Sequence, residues 1–195
     1  MKIAFTSCCD ALVDSEQIVW DRVRDQAPEA LLLLGDTIYM DYFPHLGRPR
    51  KLSNQEFATE MYNRYKAQWR VESFRKLIAS VKRVGLTWDD HDFAWNGSCG
   101  AGTSSRKAVP QEKRRISKNL FLQFKDRVQQ QNITSAYPQQ PPLAHLLVGD
   151  DTGIQEVFDY GPVRIIMLDG RTYREDPDNG KDDDEMPTHS LLGKN

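Results

Sequence analysis

The chain has 195 residues, of which 39% are hydrophobic, 10% aromatic and 28% charged. That suffices for one sizeable core but hardly for two, and it excludes a disordered chain. Its 26 basic and 28 acidic side chains leave a net charge of −2, which argues against a nucleic-acid coat or a membrane-surface protein, both of which need a basic excess.

From the N-terminus, Lys2 to Ser7 reads as a short buried strand. Its apolar run is too short for a signal-peptide core, and no stretch nears the roughly 20 residues of a membrane span. Three cysteines, two of them adjacent (Cys8, Cys9) and one distant (Cys99), do not make a disulfide framework. A cytoplasmic location is the expectation. Ser15 is placed to cap a helix to about Ala27, with Ile18, Val19, Trp20 and Val23 inward, and Pro28 ends it. The run from Ala30 to Leu34 stops at Gly35-Asp36 and reads as a strand buried on both faces. Strand, helix and strand within 36 residues suggest a βαβ unit, and hence the α/β class.

Asp41 to Leu52, with Pro44, Gly47 and Pro49, is a loop. Ser53 or Asn54 caps a single long helix to about Val81. Arg83 to Trp88 is the next strand and runs into Asp89-Asp90-His91-Asp92. A Gly/Ser-rich loop from Gly97 to Ser105 follows, and Pro110 opens a helix to about Gln131. Gln139 to Pro142 breaks the chain. Gln155 to Tyr160 and Val163 to Leu168 flank Gly161-Pro162 as a hairpin, and residues 175–195 form an acidic, loose tail.

Three strands therefore end in potential ligating side chains: Cys8 after the first, Asp36 and Tyr39 after the second, and the acidic cluster with His91 after the third. Ligands bind beyond the carboxyl ends of strands in open α/β sheets. Each piece has a plain alternative: Gly35-Asp36 as a turn, Cys8 as a small buried hydrophobe, Tyr39 as a packed ring, Asp89 to Asp92 as a flexible loop, His91 as a hydrogen-bonded histidine at a strand end. The acidic cluster is the most informative piece, because like charges at a strand mouth repel and a bound cation relieves them.

Phe5-Thr6-Ser7-Cys8, Leu34-Gly35-Asp36-Thr37-Ile38-Tyr39 and Thr87-Trp88-Asp89-Asp90-His91-Asp92-Phe93 together resemble signature blocks of PhoD-type alkaline phosphatases, a branch of the calcineurin-like metallophosphoesterases. Tyr62-Asn63-Arg64-Tyr65, Phe158-Asp159-Tyr160-Gly161-Pro162 and Leu168-Asp169-Gly170-Arg171 are similar in type and order. The resemblance spans residues 3–174 and implies one metallophosphatase domain over 1–174. It implies a four-layer αββα sandwich, represented here mainly by its first sheet and flanking helices. It also implies a metal-dependent phosphohydrolase that attacks phosphate esters with a metal-bound hydroxide. By position, Asp36 would bridge two metals, Cys8 and Tyr39 would bind the more Lewis-acidic one, and Asp90 the other. His91 would be the acid beside the leaving group, oriented by Asp92. Thiolate and phenolate suit Fe3+, and the carboxylates suit Ca2+ or another divalent cation.

The family's domain is longer, and its late Ser-Gly-Asp-x-His-like block has no counterpart here; His145 and His189 are not recruited, and Arg171 is as well explained by a buried bridge to Asp169. The expectation is a truncated chain, with an inactive metal-binding remnant as the alternative to the enzyme, and with unpaired sheet edges that favour self-association.

Overall fold

The computed structural model describes residues 1–42, 49–102, 106–132, 134 and 136–176. Pro44, Gly47, Ser105, the acidic run beyond residue 177 and His189 therefore lie outside the described residues. Three strands, β1 (Ile3–Thr6), β2 (Ala30–Leu33) and β3 (Arg83–Leu86), form a parallel sheet in the order β1-β2-β3. The chain is thus of the mixed α/β class, as the strand-helix-strand pattern predicts. A separate antiparallel hairpin pairs β4 (Glu156–Tyr160) with β5 (Val163–Met167).

Register decides what each face of the sheet carries. Ala4, Leu31 and Val84 lie level, as do Thr6, Leu33 and Leu86, and alternation puts both rows on one face. There Leu31, Leu33, Val84 and Leu86 join the main hydrophobic cluster with Trp20, Phe74, Phe121 and Phe124. These rings come from α1 (Val19–Asp25), α3 (Glu72–Ser80) and α5 (Gln111–Gln129). The opposite face carries Phe5, Leu32 and Gly85 at one level. Gly85 is where the hairpin docks: a Cβ there would lie 2.9 Å from the Phe158 ring. Arg83 stacks on the same ring, 4.5 Å from its centroid.

Three local expectations are corrected. The helix after β1 starts only at Val19, because the Asp14 carboxylate accepts from the backbone N–H of Glu16 and Gln17 and holds residues 14–17 in a turn. Ile18 and Val19 consequently face outward, and Trp20 is the buried anchor. The long helix from Asn54 is two helices, α2 (Asn54–Arg70) and α3, broken at an extended Val71. No proline or glycine signals that break; the Ser73 hydroxyl donates to the Glu16 and Gln17 carbonyls, and Arg75 donates to the Trp69 carbonyl at the end of α2. Asp90–Phe93 forms one helical turn, α4, and Leu143–Leu146, after the break at Gln139 to Pro142, forms another, α6. Of the two expected caps, Ser53 is the one at the start of α2, and with Glu56 it forms a capping box. Among the described residues no helix is long and apolar enough to cross a membrane.

Candidate metal centre

The loops leaving β2 and β3 touch, and Gly35 is the reason. Its φ is +103°, and a Cβ there would lie 2.5 Å from the Asp89 nitrogen, so only glycine permits the approach. The contact sets Asp36 beside Asp90 and His91, whose ligand atoms all lie within 4.8 Å of one another. Asp36 and Cys8 both occupy the left-handed region, at φ 53° and 62°. Strain of this kind in residues with side chains gathers at functional sites. The turns are pinned to each other, since the backbone N–H groups of Cys8 and Cys9 donate to the carbonyls of Gly35 and Asp36.

Four of the five sequence-predicted residues converge on the fifth, Asp36. The Cys8 thiol donates to Asp36 Oδ2 at 3.6 Å, and the Tyr39 hydroxyl donates to the same oxygen at 3.4 Å. The His91 backbone N–H donates to Asp36 Oδ1 at 3.4 Å and to Asp90 Oδ1 at 3.1 Å. Asp90 is fixed further by the Gly97 N–H at 2.6 Å. Burial, with the charges of Asp90 and Asp89, pushes the Asp36 carboxyl up, although His91 pulls the other way. Burial likewise pushes the Tyr39 phenol up, helped by Cys8 and Asp36. An oxygen- and sulfur-rich cluster that resists negative charge is one that a cation fits.

Asp41, read only as the start of a loop, is the residue the sequence reading missed. His91 Nδ1 lies 2.5 Å from Asp41 Oδ1, and the other Asp41 oxygen accepts from the Asn96 N–H at 2.8 Å. Burial disfavours the imidazolium, but the bond to Asp41 and the charges of Asp41, Asp90 and Asp36 outweigh it, and the His91 pKa lies above its ordinary value. The Tyr39 ring lies against the imidazole, with centroids 4.3 Å apart. Arg64 of α2 secures the segment by donating to the carbonyls of Tyr39 and Tyr42. Only the spacing Tyr39-x-Asp41 could have signalled the partnership, and a short carboxylate in a Pro/Gly loop gives no reason to select it.

Asp92 is therefore not the orienting residue. It is fully buried and accepts from the backbone N–H groups of Thr37, Ile38 and Asp89, tying the β2 and β3 loops together. Burial pushes its carboxyl up to about 8, against the backbone bonds from Asp89 and Thr37 that pull it down. Arg171 does not bridge to Asp169 either. Its guanidinium pairs with Asp89 and lies 4.0 Å from Asp90 Oδ1, while Asp169 binds the Trp88 indole, the backbone N–H groups of Arg171 and Thr172, and the Thr172 hydroxyl.

No curated protein and no solved structure matches the chain. A family model described as PhoD-like phosphatase matches residues 3–195. That match covers nearly all of the sequence, including every side chain gathered around Asp36, and the chain belongs to the PhoD-like phosphatase family.

Proposed function

We propose that the protein is a metal-dependent phosphohydrolase that cleaves phosphate esters at the mouth of the parallel sheet. The observation that carries this reading is the convergence of Asp36, Asp90 and His91 within 4.8 Å of one another, in a chain of a phosphatase family. Asp36 would hold both ions of a binuclear centre, with Cys8 and Tyr39 on one side and Asp90 on the other. Thiolate and phenolate, as strong anionic donors, would together favour Fe3+ at the first position, and the carboxylates would favour Ca2+ or another divalent cation at the second. When bound, the cations supply Lewis acidity toward a phosphate oxygen and lower the pKa of the attacking water.

The chain's own contribution to bond breaking is a held proton. Asp41 engages His91 Nδ1, which leaves Nε2 as the nitrogen able to donate to the departing oxygen. The Tyr39 ring beside it restricts the swing of the imidazole, and the backbone bonds to Asp36 and Asp90 fix both carboxylates before substrate arrives.

Metal analysis of the purified protein, with hydrolysis of p-nitrophenyl phosphate and bis-p-nitrophenyl phosphate, tests the proposal. Asp36→Asn is expected to lose both metal and turnover. His91→Ala should keep the metal and lose about 10²–10⁴-fold in kcat. Iron held by Cys8 and Tyr39 should colour the protein by charge transfer, with the band changed in Tyr39→Phe. Bound metal without turnover of either ester would leave a metal-binding remnant and end the enzyme reading.

A further inference from the structure

We infer that Arg171 is a positioning residue of the metal site, one that keeps the Asp89 carboxylate out of the ligand shell and leaves its neighbour Asp90 to the cation; this rests on the metal-dependent reading above. The two carboxylates leave β3 side by side but are held differently. Asp90 is bound by backbone alone, through the His91 N–H at 3.1 Å and the Gly97 N–H at 2.6 Å. The Asp89 side chain is 43% exposed, so burial does not fix it. Its Cβ lies 2.6 Å from where a Cβ on Gly35 would stand, which starts the carboxylate next to the loop that carries Asp36. Arg171 holds it: Nε donates to Asp89 Oδ1 at 2.6 Å, and Nη2 pairs with the same oxygen.

The guanidinium is itself braced from outside the cluster. Its Nη1 donates to the Ser98 carbonyl at 3.3 Å, its backbone N–H to Asp169 at 2.8 Å, and its carbonyl accepts from the Gly100 N–H at 2.9 Å. Gly100 admits that contact because a Cβ there would lie 2.1 Å from the Thr172 carbonyl oxygen. Among the described residues Arg171 is the only Lys or Arg paired with Asp89 or Asp90, and its Nη2 stays 4.0 Å from Asp90 Oδ1. The charge is thus spent on one of two adjacent carboxylates. A hard divalent cation takes about six to eight oxygens and binds more tightly as the carboxylate count rises, so a released Asp89 would be recruited. Without Asp89, the nearest carboxylate left to Arg171 is Asp90, where its positive charge opposes a cation.

The test is calorimetric titration of the full chain with Ca2+, with Asp36→Asn as the control for binding at the cluster. Arg171→Met, which keeps an unbranched side chain and removes the charge, should bind Ca2+ about tenfold more tightly than wild type. Asp89→Asn should bind it about tenfold more weakly, and the double variant should lie between them. A residue that only supports the fold could weaken binding but not strengthen it, so the gain in Arg171→Met is the decisive readout. Arg171→Gln, which retains a donor, carries the same expectation should the methionine variant not fold. The gain should persist in 1 M NaCl, where the screening length is about 3 Å and only a contact effect survives. Weaker or unchanged binding in both Arg171 variants, or a gain abolished by salt, overturns the assignment while leaving the metal reading intact. Wild type that binds no more Ca2+ than Asp36→Asn ends the metal reading and this assignment together.

Discussion

The two faces of the parallel sheet differ in how completely they are covered. On the helical face Leu31, Leu33, Val84 and Leu86 are at most 3% exposed, sealed by rings from α1, α3 and α5. On the other face Phe158 fills the notch over Gly85, while Phe5 is 73% exposed. The hairpin itself turns Val157 and Ile166 outward, with Leu168 just beyond. The sealed face can fix the loops that carry the site, because Asp36, Asp90 and Asp92 hang from strands whose positions the core determines. The open face contributes little to that rigidity and is where the sequence-based expectation of self-association finds its apolar surface.

The contrast is tested most severely by Phe74→Ala. This ring packs edge-on against Trp20 and alongside Phe124, and its loss should cost about 4 kcal/mol in denaturant unfolding. A cost below about 1 kcal/mol would mean that the helical face is not the stabilising one.

Asp169→Asn comes next, at about 2–3 kcal/mol, since several donors lose a charged acceptor. Burial works to raise the pKa of Asp169, but bonds from Thr172, Trp88 and Arg171 outweigh it and hold the carboxyl below 3.8. A depressed carboxylate stabilises the fold above its unfolded pKa, and that contribution disappears as pH falls through the folded pKa. Wild type should therefore lose stability below about pH 4, and the variant should lose less of it over the same range. Parallel pH profiles for the two proteins would remove Asp169 as the cause.

Gly85→Ala probes the seam between the faces. The added methyl meets Phe158 at 2.9 Å and Leu32 at 3.1 Å, and displacing the ring should cost about 1–2 kcal/mol. Phe5→Ser is the smallest in stability, within about 0.5 kcal/mol, yet it should lower association at high concentration, as read by sedimentation. Undiminished association would move the contact away from this face.

Much of the fold was legible locally. The leucine run bounded by Pro28 and Gly35, the helix start at Ser53 and the Gly161-Pro162 hairpin all behave as their chemistry dictates. The break at Val71 was not legible, because Ser73 and Arg75 find partners that the fold alone supplies. The site divides in the same way. Cys8, Asp36, Tyr39, Asp90 and His91 could be read from strand ends and from the resemblance, whereas the identity of the histidine's partner could not. Asp92, adjacent in sequence, faces inward to three backbone N–H groups, and Asp41, fifty residues away, reaches the imidazole.

By itself, then, the sequence determined which residue types stand at the strand ends and that three parallel strands carry them, since period, length and terminators are local properties. Only the tertiary structure decided which carboxylate serves the histidine and which face of the sheet the described helices seal. Those outcomes depend on Gly35 admitting the backbone of Asp89 and on a core that fixes two loops at bonding distance, neither of which is encoded within a single segment.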